Sequence, residues 1–368
     1  MFSLNDKKLA ENIISKIKKS KVKLIFMHVC GTHQDTLVKN GLDDLLKKCG
    51  IEIGQGPGCP VCVTTPKEIE EMILLAKKGK IVTSFGDMMN VPGETTSLKS
   101  LRAEGYDVRT VYGIEDAVEI ALNNKDKEVV FMAVGFETTA PTTASVLLKK
   151  PPSNFSIFSC HRTIPEALKT IIEMGEIKID GLIEPGHVST IIGTKPYEFL
   201  SKDYHIPQVI AGFEPIDLLM GAWMLVEQIK NKKAFVQNEY SRAVRKEGNV
   251  KAQKIINDVF KREDKKWRGF PVIPNSGLAL KKEFEQFDAQ KKYENELKEI
   301  ADKEFLEPSG CRCGELLRGL ASPQDCLLFG QACTPETPVG PCMVSIEGSC
   351  NIEYRYLKKT KPISKITR

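Results

Sequence analysis

The cysteines of this chain fall into groups whose spacing and surroundings suggest different chemistry. Cys59 and Cys62 are separated by two residues in the stretch "GPGCPVC" at 56–62. A CxxC pair containing proline can cycle between dithiol and disulfide, and its thiolates also suit a soft metal. Cys30 lies in "FMHVCGTHQDT" with His28 and His33, where an apolar strand pattern turns toward a helix. A thiol at a helix N-terminus feels the positive end of the dipole, which lowers its pKa. Cys30 is therefore a candidate metal-binding or nucleophilic thiolate with a histidine beside it. The plain alternative is a buried cysteine inside a strand, but Gly31 and Thr32 immediately after it argue against a strand interior.

Six of the eleven cysteines are crowded between Cys311 and Cys350, in "CRCGELLRGLASPQDCLLFGQACTPETPVGPCMVSIEGSC". This stretch has too little apolar surface to fold on a core of its own, so a metal or crosslinks must support it. Structural zinc favours CxxC knuckles, and the spacings here are C-x-C followed by gaps of twelve, six, eight and seven residues. Iron–sulfur clusters accept four thiolates from irregular loops. Six thiols exceed the four of a [4Fe–4S] cube. A spare pair beside a cluster makes an electron relay, because the cluster passes electrons singly and a dithiol handles them in twos. A zinc-stabilised interaction module remains the competing reading. Cys49, at the end of a helix pattern, and Cys160, at the end of an apolar strand, read as core.

Two further strand tips carry polar sequences, "GFETTAPTTA" with Glu137, Thr138 and Thr139, and "EPGHVSTIIG" with His187. Thr and Ser also serve as helix caps, but several such tips in one chain predict side chains facing outward into a cleft. "FGDMMNVPG" at 85–93 reads as another cleft loop, without an assigned role.

These tips need elements to position them. From residue 20 to about 232, apolar runs such as "KLIFMHV", "IEIG", "EVVFMAVGF" and "PQVIAGF" alternate with helical periodicity, for example "TPKEIEEMILLAKKG". Alternating β and α patterns predict parallel sheets covered by helices. The expected architecture is two parallel-sheet α/β domains with helices on both faces, at 1–112 and 113–235 with the division near Gly113. A helical connector and a cysteine-rich iron–sulfur domain would occupy 236–368. Within that last part, 240–263 and 280–300 read as charged helices flanking a strand-like connector.

At 368 residues, 41% apolar and with a net charge of +5, the chain reads as an ordinary soluble protein of two or three domains. Its lysines are scattered along helix faces, which argues against a nucleic-acid partner. The amphipathic N-terminus, with Leu9, Ile13, Ile14 and Ile17 on one side, lacks a signal-peptide core, and no apolar run approaches the ~20 residues of a membrane span. A cytoplasmic protein is expected.

Together, "CGTHQ" at 30–34, "GPGCPVC" at 56–62, "GFETT" at 135–139, "PGHVS" at 185–189 and the cysteine-rich end resemble the HypD family of hydrogenase maturation factors, from about residue 20 to 356. The resemblance implies [4Fe–4S] ligands at Cys311, Cys326, Cys333 and Cys350, which match the family spacing C-x14-C-x6-C-x16-C. It further implies a redox pair at Cys313 and Cys342, similar to ferredoxin–thioredoxin reductase, and a second redox pair at Cys59 and Cys62. Cys30 would hold Fe(II) carrying cyanide and carbon monoxide, His33 would assist, and Glu137, Thr138 and His187 would shape the cofactor cleft. The implied partners are HypC, HypE (with HypF upstream) and the hydrogenase large subunit precursor. The implied activity is assembly of the Fe(CN)2CO group, as a redox-active scaffold rather than a turnover enzyme. The alternative is a stand-alone iron–sulfur thiol/disulfide oxidoreductase. One departure stands out: the family reads CGTHE, and here an amide, Gln34, replaces the carboxylate.

Overall fold

A computed structural model of the protein describes residues 7–360, with side chains as far as Tyr356. The outermost residues of the first and last expected domains, 1–6 and 361–368, lie outside the described residues. The apolar runs form strands, in chain order β1 (Leu24–His28), β2 (Ile51–Gln55), β3 (Ile81–Ser84), β4 (Val108–Thr110), β5 (Val129–Gly135), β6 (Phe155–His161), β7 (Gly181–Pro185), β8 (Gln208–Ala211) and β9 (Val236–Asn238). They make two parallel sheets, ordered β2-β1-β7-β8-β9 and β4-β3-β5-β6. The α/β class is as expected.

The division near Gly113 is not where the sheets part. Gly113 falls between β4 and β5, and both of those strands pair with β3. β1 pairs instead with β7, so the second sheet is inserted between β2 and β7 of the first. Periodicity reports how many βα units exist; it carries no information on which strands pair.

Three packed layers follow from the two-residue alternation of strand side chains. On one face of the first sheet, helices Lys7–Ser20 and Pro215–Lys230 bury Ile13, Ile17, Leu219 and Val226 against Phe26, Ile183 and Val209. The outer face of the second sheet buries Phe131, Ala133 and Ile157 under helices Ile114–Asn123, Ala140–Leu148 and Val250–Val259. Between the sheets, Met27, Leu182 and Ile210 share a core with Val130, Met132 and Val134. Every residue of β5 is buried, which is why "VVFMAVG" reads as a continuous apolar run. Cys49 and Cys160 are core residues, as expected.

The region after residue 240 departs from its expected helices. Between 240 and 300 only Val250–Val259 forms a sizeable one; β10 (Phe260–Lys266) and β11 (Val272–Leu280) form an antiparallel hairpin, and 282–300 breaks into short α and 3-10 helices. β10 is charged because most of its side chains face solvent, and pairing with the more apolar β11 overrides their weak strand preference. Fully buried Trp267, between these strands, donates to Ser276 Oγ at 2.8 Å and stacks 5.8 Å from Phe136. It pins the hairpin to the second sheet. Among the described residues no helix is long and apolar enough to cross a membrane.

Candidate functional site

Parallel pairing sends the carboxyl ends of β1, β2, β7 and β8 to one edge, where ligands of α/β sheets gather. Cys30 leaves β1 in extended conformation and caps the Gly31–Lys39 helix. It is fully buried, and its Sγ lies 3.7 Å from Nδ1 of His187, in the helix Gly186–Ile192 that follows β7. The helix end does not lower its pKa overall. Burial dominates and pushes the thiol up to about 12, against the lowering hydrogen bonds from His33 and Thr32. In the metal-free protein the thiol is neutral.

The glycines of "GPGCPVC" have a physical purpose. A Cβ on Gly58 would fall 2.2 Å from the backbone nitrogen of Cys30 and 2.6 Å from its Cα. Only glycine lets the two chains approach this closely. Cys59 then caps the short helix Pro60–Val63, and its Sγ accepts the backbone N–H of Cys62 at 3.2 Å. Both cysteines are buried.

The tail closes over this edge. A Cβ on Gly31 would fall 2.4 Å from Cβ of Glu347, so the 345–348 turn packs directly on the Cys30 helix. The "FGDMMNVPG" loop joins it through Asp87, whose Oδ2 accepts the N–H of Ile346 at 3.4 Å. Just before that turn, the Cys342 thiol lies within hydrogen-bonding reach of both Cys62 and Cys313. The sulfurs of Cys59, Cys62, Cys342 and Cys313 thus form a continuous series. Cys342 and Cys313 also line a cavity with Cys311, Cys326, Cys333 and Cys350. The rest of its wall includes Leu316, Leu328, Phe329 and Met343, with Arg312 at its margin and no carboxylate. Among the described residues no three His, Cys, Asp or Glu converge as a single metal ion requires. None of the eleven cysteines forms a disulfide.

Three histidines at this edge are held neutral, His28 and His33 fully buried and His187 half-buried. Burial lowers His28 and His187 to about 4, and lowers His33 to about 3 with help from its two histidine neighbours. His33 Nε2–H donates to the carbonyls of Gly212 at 3.0 Å and Ala211 at 3.3 Å, which leaves Nδ1 as a lone pair without a partner. Phe213 packs on both His33 and His187, at 5.3 and 5.5 Å between ring centroids.

Glu137 and Thr138 stand on the other sheet's edge, at the tip of β5. Glu137 does not face outward: it is 2% exposed, and its Oε1 accepts the N–H of Ile164 at 3.0 Å, capping the helix Ile164–Met174. Burial lifts its pKa to about 7. Thr138 is half-buried beside it. The two edges nevertheless share a core, in which Phe136, next to Glu137, clusters with Val29, Val188 and Tyr197.

Sequence reasoning missed Arg162 and Glu353. Arg162 is 1% exposed and donates to Glu68 at 2.6 Å and to the carbonyls of Cys160 and Lys266 at 2.8 Å. The sign available was an arginine directly after an apolar strand, in "CHRT". Glu353 sits in a charged helix, where nothing in the sequence distinguishes it from solvated neighbours.

The family model for HypD, described as the Hydrogenase formation hypA family, matches residues 6–357. A putative hydrogenase expression/formation protein of Methanocaldococcus jannaschii is 49% identical over 97% of this chain and 99% of its own length. Hydrogenase maturation factor HypD2 of Bradyrhizobium diazoefficiens is 44% identical, covering 90% of this chain and 89% of that protein. Hydrogenase maturation factor HypD of Cupriavidus necator is 41% identical over the same shares. With a match of this extent, and with the sulfur-lined edge in place, the chain belongs to the HypD family of hydrogenase maturation factors.

Proposed function

We propose that this chain is the scaffold on which the Fe(CN)2CO group of [NiFe]-hydrogenases is assembled, in a cytoplasmic complex with HypC. HypE, supplied by HypF, would deliver cyanide as a thiocyanate, and the finished group would pass to the hydrogenase large subunit precursor. The observation that carries this reading is the convergence of Cys30, the Cys59–Cys62 pair and the tail cysteines at one edge.

The substrate is Fe(II), for which the Cys30 thiolate is a soft ligand. Its proton is lost on metal binding, which offsets the raised pKa of the free thiol. His33 Nδ1 is oriented as metal-ligating histidines are, its other nitrogen tied to backbone carbonyls. His187, against Cys30, shapes the same cleft.

Cys311, Cys326, Cys333 and Cys350 fit a [4Fe–4S] cube by donor type and by the apolar wall around them. When bound, the cluster would supply electrons one at a time. Releasing cyanide from a thiocyanate breaks the S–C bond, consumes two electrons and leaves a thiolate and cyanide. Oxidising the Cys59–Cys62 dithiol to a disulfide yields two electrons and two protons, and Cys342 and Cys313 lie in line to restore it.

The test is anaerobic co-purification with HypC, followed by infrared and visible spectra. Wild type is expected to show Fe–CN and Fe–CO bands and absorbance near about 400 nm from thiolate-ligated iron. Cys30→Ala is expected to lose the bands and keep the absorbance; bands of normal intensity in that variant overturn the assignment. A stand-alone thiol/disulfide oxidoreductase, which the same sulfur series also suits, would instead turn over a disulfide substrate without HypC.

A further inference from the structure

Gln34 links the Cys30 loop to the tail by a path that involves no sulfur. Its Oε1 lies 2.7 Å from Nε2 of His28, and its Nε2 donates to Oε1 of Glu353 at 3.3 Å. Glu353 stands one turn beyond Cys350 on the Ser349–Thr360 helix, and its other oxygen accepts from Gln324 at 3.1 Å. Arg355 and Tyr356 of the same helix both donate to Asp35 Oδ1 at 3.1 Å. The helix that starts at Cys350's turn is therefore fastened to the helix that starts at Cys30.

The polarity of this path is dictated by chemistry. An amide oxygen only accepts and an amide nitrogen only donates; a carboxylate only accepts. The Gln34 nitrogen must therefore face Glu353 and its oxygen must face His28. The His28 nitrogen facing that oxygen, Nε2, must carry the proton. His28 is fully buried, which disfavours a charged ring, so Nδ1 keeps a lone pair. Nδ1 faces the backbone N–H of Cys30 at 3.4 Å, a donor that needs such a lone pair. The opposite tautomer would set N–H against N–H.

The geometry points to Glu353 as a positioning residue for the Cys30 site: acting through the Gln34 amide, its carboxylate selects the Nε2–H tautomer of His28 and so holds the Cys30 backbone at the helix start. Its bearing on iron rests on the function proposed above; the linkage itself belongs to the iron-free protein. Burial lifts Glu353 to about 7, and Asp43 and Asp44 on the neighbouring Leu42–Lys47 helix add to this. The carboxylate is therefore studied at a pH of about 8.5, above that value.

The experiment uses the full-length protein with 15N-labelled histidine, which has five histidines to resolve, in long-range proton–nitrogen correlation spectra. His28 is assigned with a His28→Gln variant. Wild type is expected to show the widely separated nitrogen shifts of a single Nε2–H tautomer. Glu353→Leu is expected to draw the two shifts together as the tautomers mix, and Gln34→Leu, which leaves Glu353 on Gln324, must do the same. The exchange Gln34→Glu with Glu353→Gln restores an acceptor against Nε2–H and is expected to restore the wild-type pattern. An unchanged pattern in either leucine variant, or no restoration by the exchange, overturns the inference. Because no iron is present, such a failure bears on Glu353 alone, whereas normal infrared bands in Cys30→Ala bear on the proposed function alone.

Discussion

Cys62 and Cys342 stand within hydrogen-bonding reach of each other, one from the loop after β2 and the other from the tail. Because Cys342 also reaches Cys313, it can pair in either direction. Mild diamide oxidation of the cluster-free protein is expected to give Cys62–Cys342 or Cys313–Cys342 disulfides, read by peptide mapping. Cys342→Ser is expected to remove both and to leave Cys59–Cys62 as the pair that oxidises. A map dominated by Cys49 or Cys160 would contradict the series.

Gly58 is where the two N-terminal motifs touch. Gly58→Ala places a methyl group 2.2 Å from a backbone nitrogen that has no freedom to give way. A cost of about 1–3 kcal/mol is expected, as for other overpacked sites. The denaturation midpoint should fall, and iron retention by Cys30 should fall with it. Wild-type stability in this variant would mean that the loop and Cys30 are not in register.

The Glu68–Arg162 pair gives the fold an acid-sensitive contact. Burial pushes Glu68 up, but the charges of Arg162 and Lys265 outweigh this and hold it at about 2. Its folded pKa is thus below the unfolded value of about 4.3, so its stabilisation is complete above that value and is lost as pH falls toward about 2. Arg162→Met leaves a buried carboxylate without its guanidinium, at an expected cost of about 3–5 kcal/mol near neutral pH. Urea titrations should show the gap between wild type and variant narrowing as pH is lowered from 7 toward 3. A gap that stays constant would remove the ion pair from the account.

The apolar runs "KLIFMHV", "IEIG", "EVVFMAVGF" and "PQVIAGF" are all strands, because each buries apolar side chains and the pattern states this directly. β9 was not legible: "VQN" is short, half-buried and polar. β10 was not legible either, since "FKREDKK" is a strand only by virtue of its partner. The cysteine motifs marked residues that the fold brings together, yet their distances in sequence gave no sign that Cys62 would meet Cys342. Cys30 was expected at a helix start and is there, but the lowered pKa expected of it assumed exposure that the closed tail removes. Glu137 was expected to face a cleft and instead caps a helix, a choice that depends on where Ile164 returns.

The insertion of one sheet within the other also orders events in time. β1 cannot gain its β7 neighbour until the intervening residues have been made, and the wall that Glu347 sets against Gly31 comes from a segment made later still. Contacts this distant in sequence form late. A growing chain on the ribosome therefore carries its N-terminal thiols apart from the tail thiols, and can bring the two groups together only after Cys342 has been made.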